Sequence, residues 1–310
     1  MKLIIQIPCY NEETTLPITL NVMPKSVAGI DEIEVLVIDD GSTDKTVEVA
    51  KACGIQHILS LNKNYGLARA FSVGLNKAIE LGADIIVNTD ADNQYCAEDI
   101  EKLIKPILDK KADMVVGERP ISNIKDFSFT KKILQKLGSK VMSIISGVKI
   151  NDAPSGFRAF SRRTAMSINV FDNYTYTLET IIQANAKGLV IKNIPIRVNK
   201  VERPSRLISN TFIYILRSVL TMIRMFVVYR PFRFFAIISA IFLILGLLTG
   251  GRFLYFYANG EGSGHVQSLI LASILIITGV QTAVIAIASD LISINRKLLE
   301  DIQIRLKNNK

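Results

Sequence analysis

The sequence predicts an α/β protein whose mainly parallel sheet, with helices on both faces, is followed by a helical membrane region. Three observations carry that reading. Short apolar runs alternate with amphipathic stretches through residues 1–206, the pattern of strands joined by crossover helices. Polar clusters stand at the ends of successive runs, at Tyr10–Glu13, Asp39–Ser42 and Asp90–Gln94. Two long uncharged stretches, 234–251 and 268–289, lie near the C-terminus.

Residues 3–8 read as a first strand and Leu16–Val22 as a short helix. Residues 33–38 form a second strand, and Lys45–Ala52 a helix closed by Gly54. Ile55–Leu61 is a third strand, Leu67–Leu81 an amphipathic helix stopped by Gly82, and Ile85–Val87 a buried strand. Beyond it, alternation along an extended chain puts Asp90, Asp92 and Gln94 on one side. Two hard oxygen donors there suit Mg2+ or Mn2+, ions that bind together with substrate phosphates. Ligands of such sheets sit outside the carboxyl ends of the strands, where all three polar clusters fall, and three of them make a nucleotide-sized site.

Arg119 follows a strand at 114–116. Residues 131–148 read as an amphipathic helix, with Ser139, Ser143 and lysines opposite an apolar face, that can lie on an anionic membrane. A loop at Asp152–Gly156, a further strand and a helix containing Glu179 come next, then a late strand at Ile191–Val198 and the basic run 200–206. Residues 207–230 form a second amphipathic helix, with Asn210, Arg217 and Arg224 on one polar stripe.

The stretch 234–251 would span about 27 Å as a helix, close to the thickness of a hydrocarbon core. Arg252 can snorkel at its far end. Residues 200–233 hold seven basic side chains and one acidic, more basic residues follow the second stretch, and the 258–267 connection has no Lys or Arg. That asymmetry predicts a two-span protein of the inner (plasma) membrane, with the N-terminal sheet domain and both termini cytoplasmic. The absence of a signal peptide before the first strand points the same way. The membrane accounts for the net charge of +9, so no nucleic-acid partner is expected. Cys9, Cys53 and Cys96 match no metal or redox spacing and read as reduced thiols.

These motifs together resemble the family-2 glycosyltransferases, within them the dolichyl-phosphate mannose synthase-like group that includes bacterial polyprenyl-phosphate glycosyltransferases. Pro8–Glu12 is similar to the family's opening P-x-Y/N-N-E, and Val37–Thr46 to its V-x-D-D-G-S-x-D-x-T run. Asn64–Ala70 resembles the loop and helix that follow, and Thr89–Gln94 the D-A-D-x-Q metal motif. The resemblance implies a GT-A catalytic domain over 1–206, an interface helix over 207–230 and a two-helix membrane region with a C-terminal tail over 231–310. It implies that Pro8, Tyr10, Glu12, Ile38 and Asp40 hold base and ribose, and that Asp90, Ala91 and Asp92 hold the sugar diphosphate. The metal falls to Asp90, Asp92 and Gln94. Arg119, Lys200 and Arg206 match basic positions of the family. Where the family reads R-x-x-G-x-S-K this chain has K-V-E-R-P-S-R, with Arg203 in place of the glycine, which leaves the division of roles among those cations open. The implied substrates are a UDP- or GDP-hexose and a polyprenyl phosphate, and the implied assembly is a homo-tetramer.

A phosphate acceptor is already ionised near neutral pH, its second pKa being about 6, so it needs cations to place it rather than a general base. Ser155, Arg158 and Arg203 are the candidates, Arg158 reading equally as a structural ion-pair partner. Asp92, Arg158 and Arg203 are thus the predicted catalytic set. Rival readings fare worse. A processive polysaccharide synthase would carry a Q-x-x-R-W signature, and this chain has no Trp. A scaffold would not need the acidic motif intact, and a transporter would need charge inside its spans.

Overall fold

The computed structural model describes residues 1–120, 138–140, 143, 147–170, 176–199, 220, 223–224 and 226–308. The chain divides into two compact units, Met1–Met222 and Ile223–Lys310.

In the first unit the strands are β1 (Lys2–Cys9), β2 (Glu32–Asp39), β3 (His57–Ser60), β4 (Ile85–Asn88), β5 (Met114–Glu118), β6 (Arg158–Ser161) and β7 (Ile191–Pro195). They form one sheet in the order β3-β2-β1-β4-β6-β5-β7. The helices are α1 (Leu16–Asn21), α2 (Thr46–Ala52), α3 (Leu67–Glu80), α4 (Ile100–Leu108), α5 (Arg162–Ser167) and α6 (Thr177–Ala186). β1 lies at the centre because it is apolar on both faces: Leu3, Ile4, Ile5 and Ile7 are wholly buried. It pairs in parallel with β2 and β4, and the connections leave it in opposite directions, which makes its carboxyl end the switch point of the sheet.

The predicted strands and helices of residues 1–108 all form. The sheet departs from the parallel pattern at β6, which runs antiparallel between β4 and β5. That reversal carries the 152–157 loop to the carboxyl end of β4, where Asn88 pairs with Arg158.

The expected membrane-surface helix at 131–148 lies largely outside the described residues; Gly138–Lys140 and Ser143 are helical. There Ser139 and Ser143 depart from the polar face assigned to them. Ser139 is buried and its Oγ accepts Ala153 N–H at 3.1 Å, while Ser143 Oγ accepts Ile150 N–H at 2.9 Å. These hydroxyls hold the 150–153 segment and do not face lipid. Of the predicted 207–230 helix, Leu220, Ile223, Arg224 and 226–230 are described, and all but Arg230, a bend ahead of the next helix, are helical.

The second unit is built on α7 (Pro231–Ala258) and α8 (Val266–Asn308). Both are long and apolar enough to cross a membrane, with mean hydropathies of 2.4 and 2.3 over an 18-residue window within Pro231–Ala258 and Ser263–Arg296. They pack along small residues: Ser239 Oγ donates to Gly279 O at 2.8 Å, and Ala272 and Ala286 are buried. Large side chains such as Leu247 and Ile292 point outward, 68% and 69% exposed. The C-terminal tail is not a separate segment. It continues α8 because 297–308 holds neither Gly nor Pro and is rich in helix formers.

Candidate active site

The loops after β1 and β2 lock together. Asn11, in the left-handed region at φ 56°, donates its N–H to Ser42 Oγ at 2.9 Å and accepts Thr43 N–H on Oδ1 at 2.8 Å. Glu12 N–H donates to Thr46 Oγ1 at 2.8 Å, and Asp39 Oδ1 accepts Ser42 N–H at 2.9 Å. Gly41 is obligatory in this turn: φ is +72°, and a Cβ there would lie 2.5 Å from the carbonyl carbon of Lys63.

Asp40 accepts Tyr65 N–H at 2.9 Å and Gly66 N–H at 2.8 Å, so its carboxylate also shapes the loop ahead of α3. Burial raises its pKa, and the two N–H groups pull against that rise. Of the residues expected to hold base and ribose, Tyr10 is 41% exposed, Glu12 is half-buried and Pro8 is buried within β1. Ile38 is a correction. Its side chain is wholly buried between strand neighbours Pro8 and Leu59, so no side-chain contact with a base is open to it. Its part is to hold Asp39 and Asp40 at the strand end.

Two residues beyond β4, the half-buried Asp90 carboxyl has its pKa pushed up to about 7, chiefly by burial and then by the charge of Asp92, against the pull of Arg119. Glu12 adds negative potential from the β1 side. Asp92 accepts the N–H of Gln94 at 3.1 Å, Asn93 takes φ 55°, and Thr19 Oγ1 ties α1 to Ala91 O at 2.9 Å. Among the described residues no three His, Cys, Asp or Glu converge as a closed cage. Two neighbouring carboxylates of this kind fit a hard divalent ion that keeps open positions for phosphate oxygens.

Arg119 is buried and forms a two-pronged pair with Asp152, Nε to Oδ2 at 2.7 Å and Nη2 to Oδ1 at 3.0 Å. Burial works against its charge, and Tyr95 and Asp152 more than offset that, so its pKa is raised. It lends Asp90 a positive field from a fixed seat.

Arg158 is the second correction. It is wholly buried, and its guanidinium donates to Ser155 O at 2.8 Å and, at 2.6 Å each, to Ala153 O, Thr177 O and Thr180 Oγ1. Burial lowers its pKa to about 10, which leaves it charged at neutral pH. With its donors turned into the protein, it does not grip a lipid phosphate; it pins the 153–155 loop to α6. Ser155 is also wholly buried, and its Oγ has no hydrogen-bond partner among the described residues.

The end of the sheet domain returns to the acidic motif. Asn199 N–H donates to Gln94 O and Asn199 Nδ2 to Asn93 O, both at 2.9 Å, and Arg197 pairs with the buried Asp99 at 2.9 Å. The chain entering the basic run is thereby fixed beside the carboxylates. Lys200, Arg203 and Arg206 themselves lie outside the described residues.

Several contributors carry no signal in the sequence. Asn88 donates to Gly156 O at 2.9 Å and to Tyr176 Oη at 2.8 Å, and accepts Gln6 Nε2 at 2.8 Å. Asp152 and Tyr176 are brought to the carboxyl end of β4 through the β6 reversal, which no periodicity announces.

The family model for glycosyl transferase family 2 matches residues 4–168. The chain belongs to that family. The transferase is 32% identical to the UDP-N-acetylglucosamine–dolichyl-phosphate N-acetylglucosaminyltransferase of Methanococcus voltae, over 62% of this chain and 83% of that one. It is 28% identical to the undecaprenyl-phosphate mannosyltransferase of Micrococcus luteus, over 63% and 83% of the two chains. Among solved structures it resembles glucosyl-3-phosphoglycerate synthase from Mycobacterium tuberculosis, crystallised with Mn2+, UDP and glucosyl-3-phosphoglycerate, at a TM-score of 0.55 and 19% identity over 71% and 79% of the chains. That likeness establishes the GT-A-like fold. The chain is a glycosyltransferase.

Proposed function

We propose that the transferase is membrane-anchored and metal-dependent, and that it moves a hexose, with inversion, from a nucleotide sugar to a polyprenyl phosphate. UDP is preferred to GDP as the nucleotide, in keeping with the UDP of the synthase complex. The observation that carries the reading is the pair of hard carboxylates Asp90 and Asp92 just beyond β4, the first held against Gly156 and under the field of Arg119. The lipid phosphate enters from the relatives named for dolichyl- and undecaprenyl-phosphate transfer.

In this reading Pro8, Tyr10, Glu12 and Asp40 form the wall of the base and ribose site. Asp90 and Asp92, with Gln94, would hold Mg2+ or Mn2+, which when bound neutralises the diphosphate leaving group. Ala91 lies against that diphosphate, and Arg119 adds fixed positive potential. An acceptor phosphate oxygen attacks the anomeric carbon from the face opposite the diphosphate. One C–O bond forms as the other breaks, so a single displacement inverts the centre. No proton has to be removed from a phosphate dianion, so no base is needed. Lys200, Arg203 and Arg206 place the acceptor, with the Ser155 hydroxyl as a further donor.

Purified protein with Mg2+ or Mn2+, undecaprenyl phosphate and a panel of UDP- and GDP-hexoses should yield a lipid-linked sugar from one donor, and EDTA should stop it. Transfer that persists in EDTA would overturn the metal assignment.

Anchoring rests on α7 and α8, and orientation on the basic flanks of 200–233 and 296–310 against the 258–267 connection. A cysteine at Ser263 should react with an impermeant thiol reagent on intact cells, and one at Asn309 should not. The reverse labelling would contradict cytoplasmic catalysis.

A further inference from the structure

Gly156 is where three polar groups meet around one acidic side chain. A Cβ there would lie 3.0 Å from Asp90 Oδ1, 3.2 Å from Asp90 Oδ2 and 3.0 Å from Tyr176 Oη. Its N–H donates to Tyr95 Oη at 3.0 Å. A tyrosine hydroxyl has one proton to give. Since Tyr95 Oη accepts from Gly156, that proton is free for the Asp90 carboxyl, which stands against the same glycine. Tyr95 is only 4% exposed, stacks on Phe157 with ring centroids 5.0 Å apart, and pairs through its backbone with Val198. Its ring is therefore fixed on three sides before any ligand arrives.

We infer that Tyr95 is the positioning residue of the divalent-cation site: its hydroxyl, held by Gly156 N–H, fixes the Asp90 carboxylate in the orientation that binds metal. Asp90 lies beyond the end of β4, just ahead of a turn, and has no strand partner, so without this contact its side chain has a choice of rotamers. Gly156 belongs to the same device, because any side chain there would push the carboxylate away. The inference rests on the proposed metal role of Asp90.

Direct Mn2+ titration in the presence of UDP, followed by the loss of the free-ion EPR signal, tests it without turnover. Tyr95→Phe keeps the ring and its stacking and should weaken Mn2+ binding roughly 10–100-fold, the range for removing a hydrogen-bond partner of a metal ligand. Tyr176→Phe, whose hydroxyl bonds Asn88, should bind Mn2+ as the wild type does. Gly156→Ala, which perturbs the same carboxylate from the other side, should weaken binding in the same direction and provides the readout should Tyr95→Phe misfold. If Asp90→Asn abolishes Mn2+ binding while Tyr95→Phe and Gly156→Ala leave it unchanged, the inference falls and the metal role stands. If the wild type binds no Mn2+, both fall.

Discussion

Asp92→Asn is expected to lower turnover by at least about 10²–10³-fold, the usual loss when one group that stabilises developing charge is removed. The replacement keeps an oxygen at Oδ1, so the contact from Gln94 N–H at 3.1 Å survives. Asp92 is half-buried and outside the apolar core, so unfolding free energy should change by no more than about 0.5 kcal/mol. Crowding at Asp90 should ease as well, because the Asp92 charge is the second cause of its raised pKa. Kinetics with the preferred donor, beside a thermal melt, check both halves. Full activity would remove Asp92 from the metal set, and a collapsed melt would make its role structural.

Arg158→Met should act in the opposite way, on stability first. The stem is replaced by an apolar chain of similar reach, but four buried oxygens, those of Ala153, Ser155, Thr177 and Thr180, lose the guanidinium together, and only Thr177 O keeps a side-chain donor, the Thr180 hydroxyl at 3.2 Å. Unsatisfied buried acceptors cost about 1–3 kcal/mol each, with partial relaxation, so a loss of about 3–5 kcal/mol is expected. Lysine should recover only a part, because an ammonium cannot span four acceptors with planar geometry. Thermal unfolding of the detergent-solubilised protein reads the effect. A variant that melts like the wild type yet cannot be saturated with lipid acceptor would restore Arg158 to the phosphate site.

How far the sequence speaks is clearest at these two residues. Asp92 was legible because it follows a four-residue apolar strand, with every residue of β4 buried, and falls in register with Asp90. Arg158 was not, because a cation at a strand start looks the same whether it faces a ligand or the interior. Only the antiparallel insertion of β6 turns it inward, and reversal leaves no trace in a four-residue strand. Ile38 shows the same limit: adjacency to an acidic pair does not reveal that the last four residues of β2 are all buried. Period alone puts Ser139 and Ser143 on a polar stripe, whereas hydroxyls are small enough to turn inward and cap a loop. The apolar helices were legible from length and composition, and the end of α8 was not, since charged helix formers extend a helix as readily as they leave it.

The central claim is that the nucleophile is a phosphate and that the site therefore works without a general base. Initial rates with undecaprenyl phosphate and with undecaprenol, under the same donor, metal and detergent, test it most directly. The account predicts transfer to the phosphate and none measurable to the alcohol, with the rate on the phosphate falling below about pH 6 as the acceptor takes up its second proton. An alcohol that serves as well as the phosphate would contradict it.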